Sequence, residues 1–139
     1  MCAGSPGSIS RTVCTASSKY APTSKKDLKK AVTEYIKRGY TDDTYGPIEE
    51  WDVSRITTME GLFYGARDFN ADLSKWDVSK VTNMGAMFSG CQSFNGDISK
   101  WDVSSVTTTR GMFAVARKFT GDISKWDVSR VTDMSAMFS

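Results

Sequence analysis

At 139 residues, with 40% hydrophobic and 24% charged side chains, the chain has the length and composition of one ordinary folded domain. No apolar run approaches the ~20 residues of a membrane span, and no 7–15-residue apolar signal core is present. There is no histidine, which removes the usual general base, the Ser–His and Cys–His pairs and most transition-metal sites.

The formal charge of +2 is unevenly spread: residues 1–40 carry a net +6 and residues 41–139 a net −4. A basic end that neutralises an acidic body accounts for this, and no basic–aromatic interleaving points to nucleic acid. Residues 1–23 read as a polar, basic N-terminal arm. Its Ser- and Thr-rich, acid-free composition is shared by transit peptides and by disordered tails. Cys2 and Cys14 lie in this arm. With Cys91 they make an odd number that fits no zinc or redox spacing.

Residues 24–47 read as a capping helix and connector. Ser24 followed by Asp27 resembles a capping-box start. Leu28, Ala31, Val32, Tyr35 and Ile36 follow at helical spacing, and Gly39 closes the helix. This amphipathic helix is expected to lie near Ile48 and Trp51, with Tyr40, Tyr45 and Pro47 in the connector.

From residue 48 to residue 139 the chain repeats itself about 3.7 times with a period of 25. Trp51, Trp76, Trp101 and Trp126 are in register, as are Phe63, Phe88, Phe113 and Phe138, and Phe69, Phe94 and Phe119. These columns hold every Trp and every Phe of the chain, and Met59, Met84, Met134 and Met87, Met112, Met137 form two more. No unit can bury such residues alone, so stacking is expected to build one continuous core. Within a unit, Ile98, Trp101 and Val103 have the spacing of a leucine-rich-repeat strand, with Lys100, Asp102 and Ser104 alternating outward. Met84, Met87 and Phe88, at i, i+3 and i+4, predict a short helical turn, and Phe94–Asn95–Gly96–Asp97 a return turn. The expected fold is an α/β solenoid: a leucine-rich-like stack of short parallel strands and short helical turns behind the capping helix.

The phrases WDVSKVTNMGAMF, FNGDISKWDVS and ISKWDVSRVTDMSAMF resemble the BspA-like leucine-rich repeat surface proteins over about residues 45–139. The resemblance implies a right-handed solenoid used for adhesion or protein binding, placed at a cell surface or secreted, with no catalytic residues to carry over. The Ser/Arg-rich N-terminus leaves an organellar, plastid-like placement open. One departure stands out. Ile56, Val81, Val106 and Val131 occupy the usual Asn position, so Ser79, Thr82 and their equivalents must satisfy the turn's backbone.

The expected function is therefore a non-catalytic protein-binding or adhesion module. The alternative is a structural accessory subunit of a larger, organellar or membrane complex. No cofactor or metal is expected, although the Asp52, Asp77, Asp102 and Asp127 column also suits a hard cation such as Ca2+. The candidate binding face is Lys75, Asp77, Lys100, Asp102, Lys125 and Asp127, with the Lys and Asp columns pairing across strands. Met134, Met137 and Phe138 have nothing after them to cover them and form a candidate exposed-end interface, either for a protein partner or for further repeats of a longer array. Cys91 shares a column with Ala66 and Ala116 and reads as a small core residue.

Overall fold

The protein's structure, a computed structural model, describes residues 19–41 and 44–139. Cys2, Cys14 and most of the 1–23 arm lie outside the described residues.

The helix forms as its sequence dictates. Helix α1, Lys25–Lys37, starts at Ser24, whose hydroxyl accepts from the Asp27 N–H at 3.2 Å. It ends in a Schellman motif: the N–H of Tyr40 donates to the carbonyl of Tyr35 and that of Gly39 to Ile36. Such an ending needs a left-handed residue, which Gly39 supplies at φ 73°. Leu28, Ala31, Val32 and Tyr35 are buried. Tyr35 meets Trp51 and Phe69 edge-on at 6.4 and 6.3 Å, which fastens α1 to the first repeat. A 3-10 turn, Ile48–Glu50, leads into that repeat.

The repeats do not form the expected α/β solenoid. Among the described residues there is no strand and no sheet. Successive units touch through single parallel bridges, Thr58 to Asn83 to Thr108 to Asp133. The Ile98–Trp101–Val103 segment, expected as a strand, is a turn: Trp101 donates to Ile98 and Val106 to Val103, three residues back in each case. The Met84–Phe88 segment, expected as a helical turn, instead carries most of the backbone bonding between units. Met59, Gly61, Phe63 and Gly65 donate to Asn83, Gly85, Met87 and Ser89 of the following unit at 2.8–3.0 Å. The intervening N–H groups of Leu62 and Tyr64 donate three residues back within their own unit.

The physical reason lies in the backbone. A helix cannot contain left-handed residues, yet one column of this segment is left-handed throughout: Gly61 (φ 63°), Ala86 (53°), Gly111 (64°) and Ala136 (55°). The chain therefore turns repeatedly, alternating bonds within and between units. Each unit is an irregular coil of turns rather than a strand–helix pair.

Side chains hold the coils in register. Phe63, Phe88, Phe113 and Phe138 stack at 5.6–5.7 Å between successive rings, and Phe69, Phe94 and Phe119 at 5.7–6.0 Å. The two columns touch at 4.1–4.2 Å within each coil. The indole N–H of Trp76, Trp101 and Trp126 donates to the carbonyl of Ile48, Leu73 and Ile98, 28 residues earlier, at 2.9–3.0 Å. Every rung thus ties one coil to the one before it while the ring is buried. Cys91 is fully buried, and its thiol donates to the Phe63 carbonyl at 3.0 Å.

Candidate interaction faces

The exposed columns of the coils are built by short polar turns. In each W-D-V-S corner the aspartate folds back on the serine two residues on. Asp52, Asp77 and Asp102 each accept from the serine N–H at 3.0 Å and from its hydroxyl at 2.6 Å. Asp127 accepts from the Ser129 N–H. The G-D-I-S corner repeats the device at Asp97 and Ser99, and Asp72 and Asp122 accept from Ser74 and Ser124. These are Asx turns. Donation by the serine hydroxyl, then by its N–H, holds the carboxyls of Asp52, Asp72, Asp97, Asp102, Asp122 and Asp127 below the usual range.

Lys75, Asp77, Lys100, Asp102, Lys125 and Asp127 are all exposed. The cross-coil Lys–Asp pairing expected of them is absent. Lys75 bonds Glu50 at 3.0 Å, and among the described residues no ion pair holds Lys100 or Lys125. Glu50 was missed by the sequence reading although it is 25 residues before Lys75, so the lysine column begins with an acid. Each carboxylate, meanwhile, is engaged by its own serine. The result is a row of lysine ammonium groups beside a row of fixed carboxylates, with no ion pair between the two rows; Lys75 pairs instead with Glu50 of its own column.

A second corner carries a side-chain ladder that the sequence reading did not anticipate. The Asn95 N–H donates to the Asn70 side-chain oxygen and the Thr120 N–H to that of Asn95, both at 2.9 Å. Where an Asn ladder was missing, threonines serve, as the substitution of Val required. Thr82, Thr107 and Thr132 each donate their N–H and hydroxyl to the carbonyl of the threonine 25 residues earlier. Ser79 serves Asp77 instead.

Between the corners run open grooves of about 270–330 Å3. One is lined by Arg67, Asp68, Gln92, Ser93, Arg117 and Lys118, another by the Asn70–Asp72 and Asn95–Asp97 corners. They are shallow, and each runs across two or more coils. Among the described residues no three His, Cys, Asp or Glu side chains converge as a metal site, and no helix is long and apolar enough to cross a membrane.

At the last coil Met134 is 45% and Phe138 64% exposed, while Met137 is half-buried against the core. At the first coil the corresponding edge is covered. Lys29, which the sequence reading passed over, extends from α1 and donates to the carbonyls of Gly61 and Leu62 at 3.1 and 3.0 Å.

The family described as Mycoplasma protein of unknown function, DUF285, matches residues 27–139, from the first turn of α1 through the last coil. The chain belongs to the DUF285 family. The match takes in every column described above, so the indole rungs, phenyl columns and Asx corners all lie within the DUF285 region. No curated protein and no solved structure matches the chain.

Proposed function

We propose that this DUF285 chain is a non-catalytic protein-binding module, used for adhesion or assembly, whose ladder of exposed charges docks another protein. The single observation that carries this reading is the face formed by Lys75, Asp77, Lys100, Asp102, Lys125 and Asp127. All six are exposed, and the two rows are repeated at the coil spacing with the carboxylates already oriented by serine. Preoriented groups lose little entropy on binding, and rows of one sign steer a partner of complementary charge. A like-charged lysine row costs self-repulsion in the free protein, which an acidic surface on a partner offsets. The grooves support the same reading. Each is open and lined by equivalent positions of successive coils, whereas catalysis needs one pair of groups in unequal environments. Surface or secreted placement, which the BspA-like resemblance implies, belongs with the adhesion role.

The test is charge reversal by Lys100→Glu with Asp102→Lys. The double variant is expected to fold with unchanged thermal unfolding and to lose capture of the natural partner in pull-down. Undiminished capture would move the interface elsewhere.

A further inference from the structure

One corner of the coil departs from the strict repeat. In three successive coils the N–H groups of Phe69, Phe94 and Phe119 donate to the carbonyls of Ala66, Cys91 and Ala116 at 3.1–3.3 Å, closing a four-residue turn each time. The ends of each turn belong to core columns, so the two central residues form a tip that takes no part in the packing. The tips read Arg67–Asp68, Gln92–Ser93 and Arg117–Lys118. The Ser93 N–H donates to the Arg67 carbonyl at 3.0 Å and fixes the second tip on the first. These six residues line one groove of about 270 Å3. Arg67, Asp68, Arg117 and Lys118 are exposed, and none of the four enters an ion pair among the described residues. At the first tip the charges cancel, and at the third both are positive.

We propose that this groove binds an acidic polypeptide segment, extended along the axis of the stack, whose carboxylates are taken by Arg67 and by Arg117 with Lys118. Planar guanidinium groups receive carboxylates in bidentate pairs, and turns anchored in the core present them at little ordering cost. The pitch fits. Phe69, Phe94 and Phe119, beside the tips, stack at 5.7 and 6.0 Å, close to the ~6.6 Å that two residues of an extended strand span. Alternate side chains of such a segment thus meet successive coils. Carboxylates four residues apart reach the two arginines, and the Gln92 amide and Ser93 hydroxyl are donors between them. Two features select a polypeptide over other polyanions. No lining residue is aromatic, so bases and sugar rings find no stacking platform. Asp68 stands beside Arg67 and repels a polymer charged at every unit, whereas a polypeptide places a neutral or basic residue there. The groove shares no residue with the Lys–Asp face, so the two readings fail separately.

The probe is a fluorescein-labelled decapeptide of alternating Glu and Ser, titrated at low salt into the full chain and followed by anisotropy. Saturable binding is expected, weakening as salt rises to about 0.15 M. Arg67→Gln combined with Arg117→Gln, both at exposed turn tips, is expected to weaken it about tenfold, with thermal unfolding showing the variant folded. The Lys100→Glu, Asp102→Lys variant is expected to bind the peptide normally. An oligonucleotide or a sulfated polysaccharide of matched charge is expected to bind about tenfold more weakly than the peptide, and Asp68→Asn to narrow that gap. Absent binding, undiminished binding by the arginine variant, either polyanion binding as tightly as the peptide, a gap unchanged by Asp68→Asn, or self-association of the chain that the arginine variant abolishes would each overturn the inference.

Discussion

Replacing Trp101 by Phe removes one rung of the indole ladder from the middle of the stack. Trp101 is 5% exposed, and its N–H donates to the Leu73 carbonyl at 3.0 Å. That carbonyl also accepts from the Trp76 N–H at 3.0 Å, so the substitution leaves it half satisfied rather than bare. The hydrogen bond is then worth about 1 kcal/mol, the low end of the range for a lost buried partner. Phenyl also lacks two of the indole's buried ring carbons, which at ~0.8 kcal/mol each adds about 1.5 kcal/mol. The expected loss is therefore about 2–3 kcal/mol. Urea unfolding followed by circular dichroism measures it, with the transition checked by a second probe because stacked repeats can unfold in parts. Trp126→Phe provides the comparison. Its rung to Ile98 is the same and its ring is also buried, so it is expected to cost a similar amount. A loss under 0.5 kcal/mol at either residue would refute the ladder as a source of stability.

Other consequences follow from the same geometry. Val115 is a β-branched residue at φ 57° in a column whose other members, Gly65 and Gly90, are glycines at 74° and 78°. Val115→Gly is expected to raise the unfolding free energy by about 0.5–1 kcal/mol, since relief of about 1–2 kcal/mol of left-handed strain exceeds the chain entropy of glycine. Gly90→Ala is expected to do the reverse, because a Cβ there meets the Gly65 backbone at 3.3 Å; a stabilising Gly90→Ala would remove the strain argument. Lys29→Met keeps the packed stem but loses two bonds to the first coil's carbonyls, and is expected to cost about 1.5–3 kcal/mol in urea unfolding. The serine-held carboxyls titrate below their unfolded values. Their contribution is thus complete above the unfolded aspartate pKa of about 3.9 and is lost as pH falls through the lower folded values. Combining Ser54→Ala, Ser104→Ala and Ser129→Ala is expected to lower stability at neutral pH and flatten its fall in acid; an unchanged acid profile would contradict the assignment. Burial pushes the Cys91 thiol up to about 12. In a Cys2→Ser, Cys14→Ser background it is expected to react with thiol reagents only on unfolding.

The residues that build the core were legible in the sequence because their types are rare and their period is fixed. Trp and Phe at 25-residue spacing have no economical explanation except mutual stacking, and Ser24, the Leu28–Tyr35 face and Gly39 carry local signals of a helix with both ends marked. What those residues do to the backbone was not legible. Ile98, Trp101 and Val103 fit a strand and Met84, Met87 and Phe88 fit a helical turn, because side-chain spacing reports which residues face inward and not which torsions bring them there. Ala86, Val115 and Ala136 adopt left-handed torsions that their types do not advertise; only their columns, with glycine at Gly61, Gly65, Gly90 and Gly111, hinted at it. The candidate binding face was named correctly as exposed, but its electrostatics were not. Whether Lys75 meets Asp77 or Glu50 depends on the offset between neighbouring coils, which local pattern does not contain.

Sequence alone thus determined the repeat, the inward columns and the capping helix, since each depends on residue type at fixed local spacing. The tertiary structure decided the rest. The indole rungs reach 28 residues back, and Lys29 closes an edge 32 and 33 residues away. That Met59, Gly61, Phe63 and Gly65 donate to the following coil while Thr82, Thr107 and Thr132 donate to the preceding one is a property of backbone orientation that exists only once one coil lies on another.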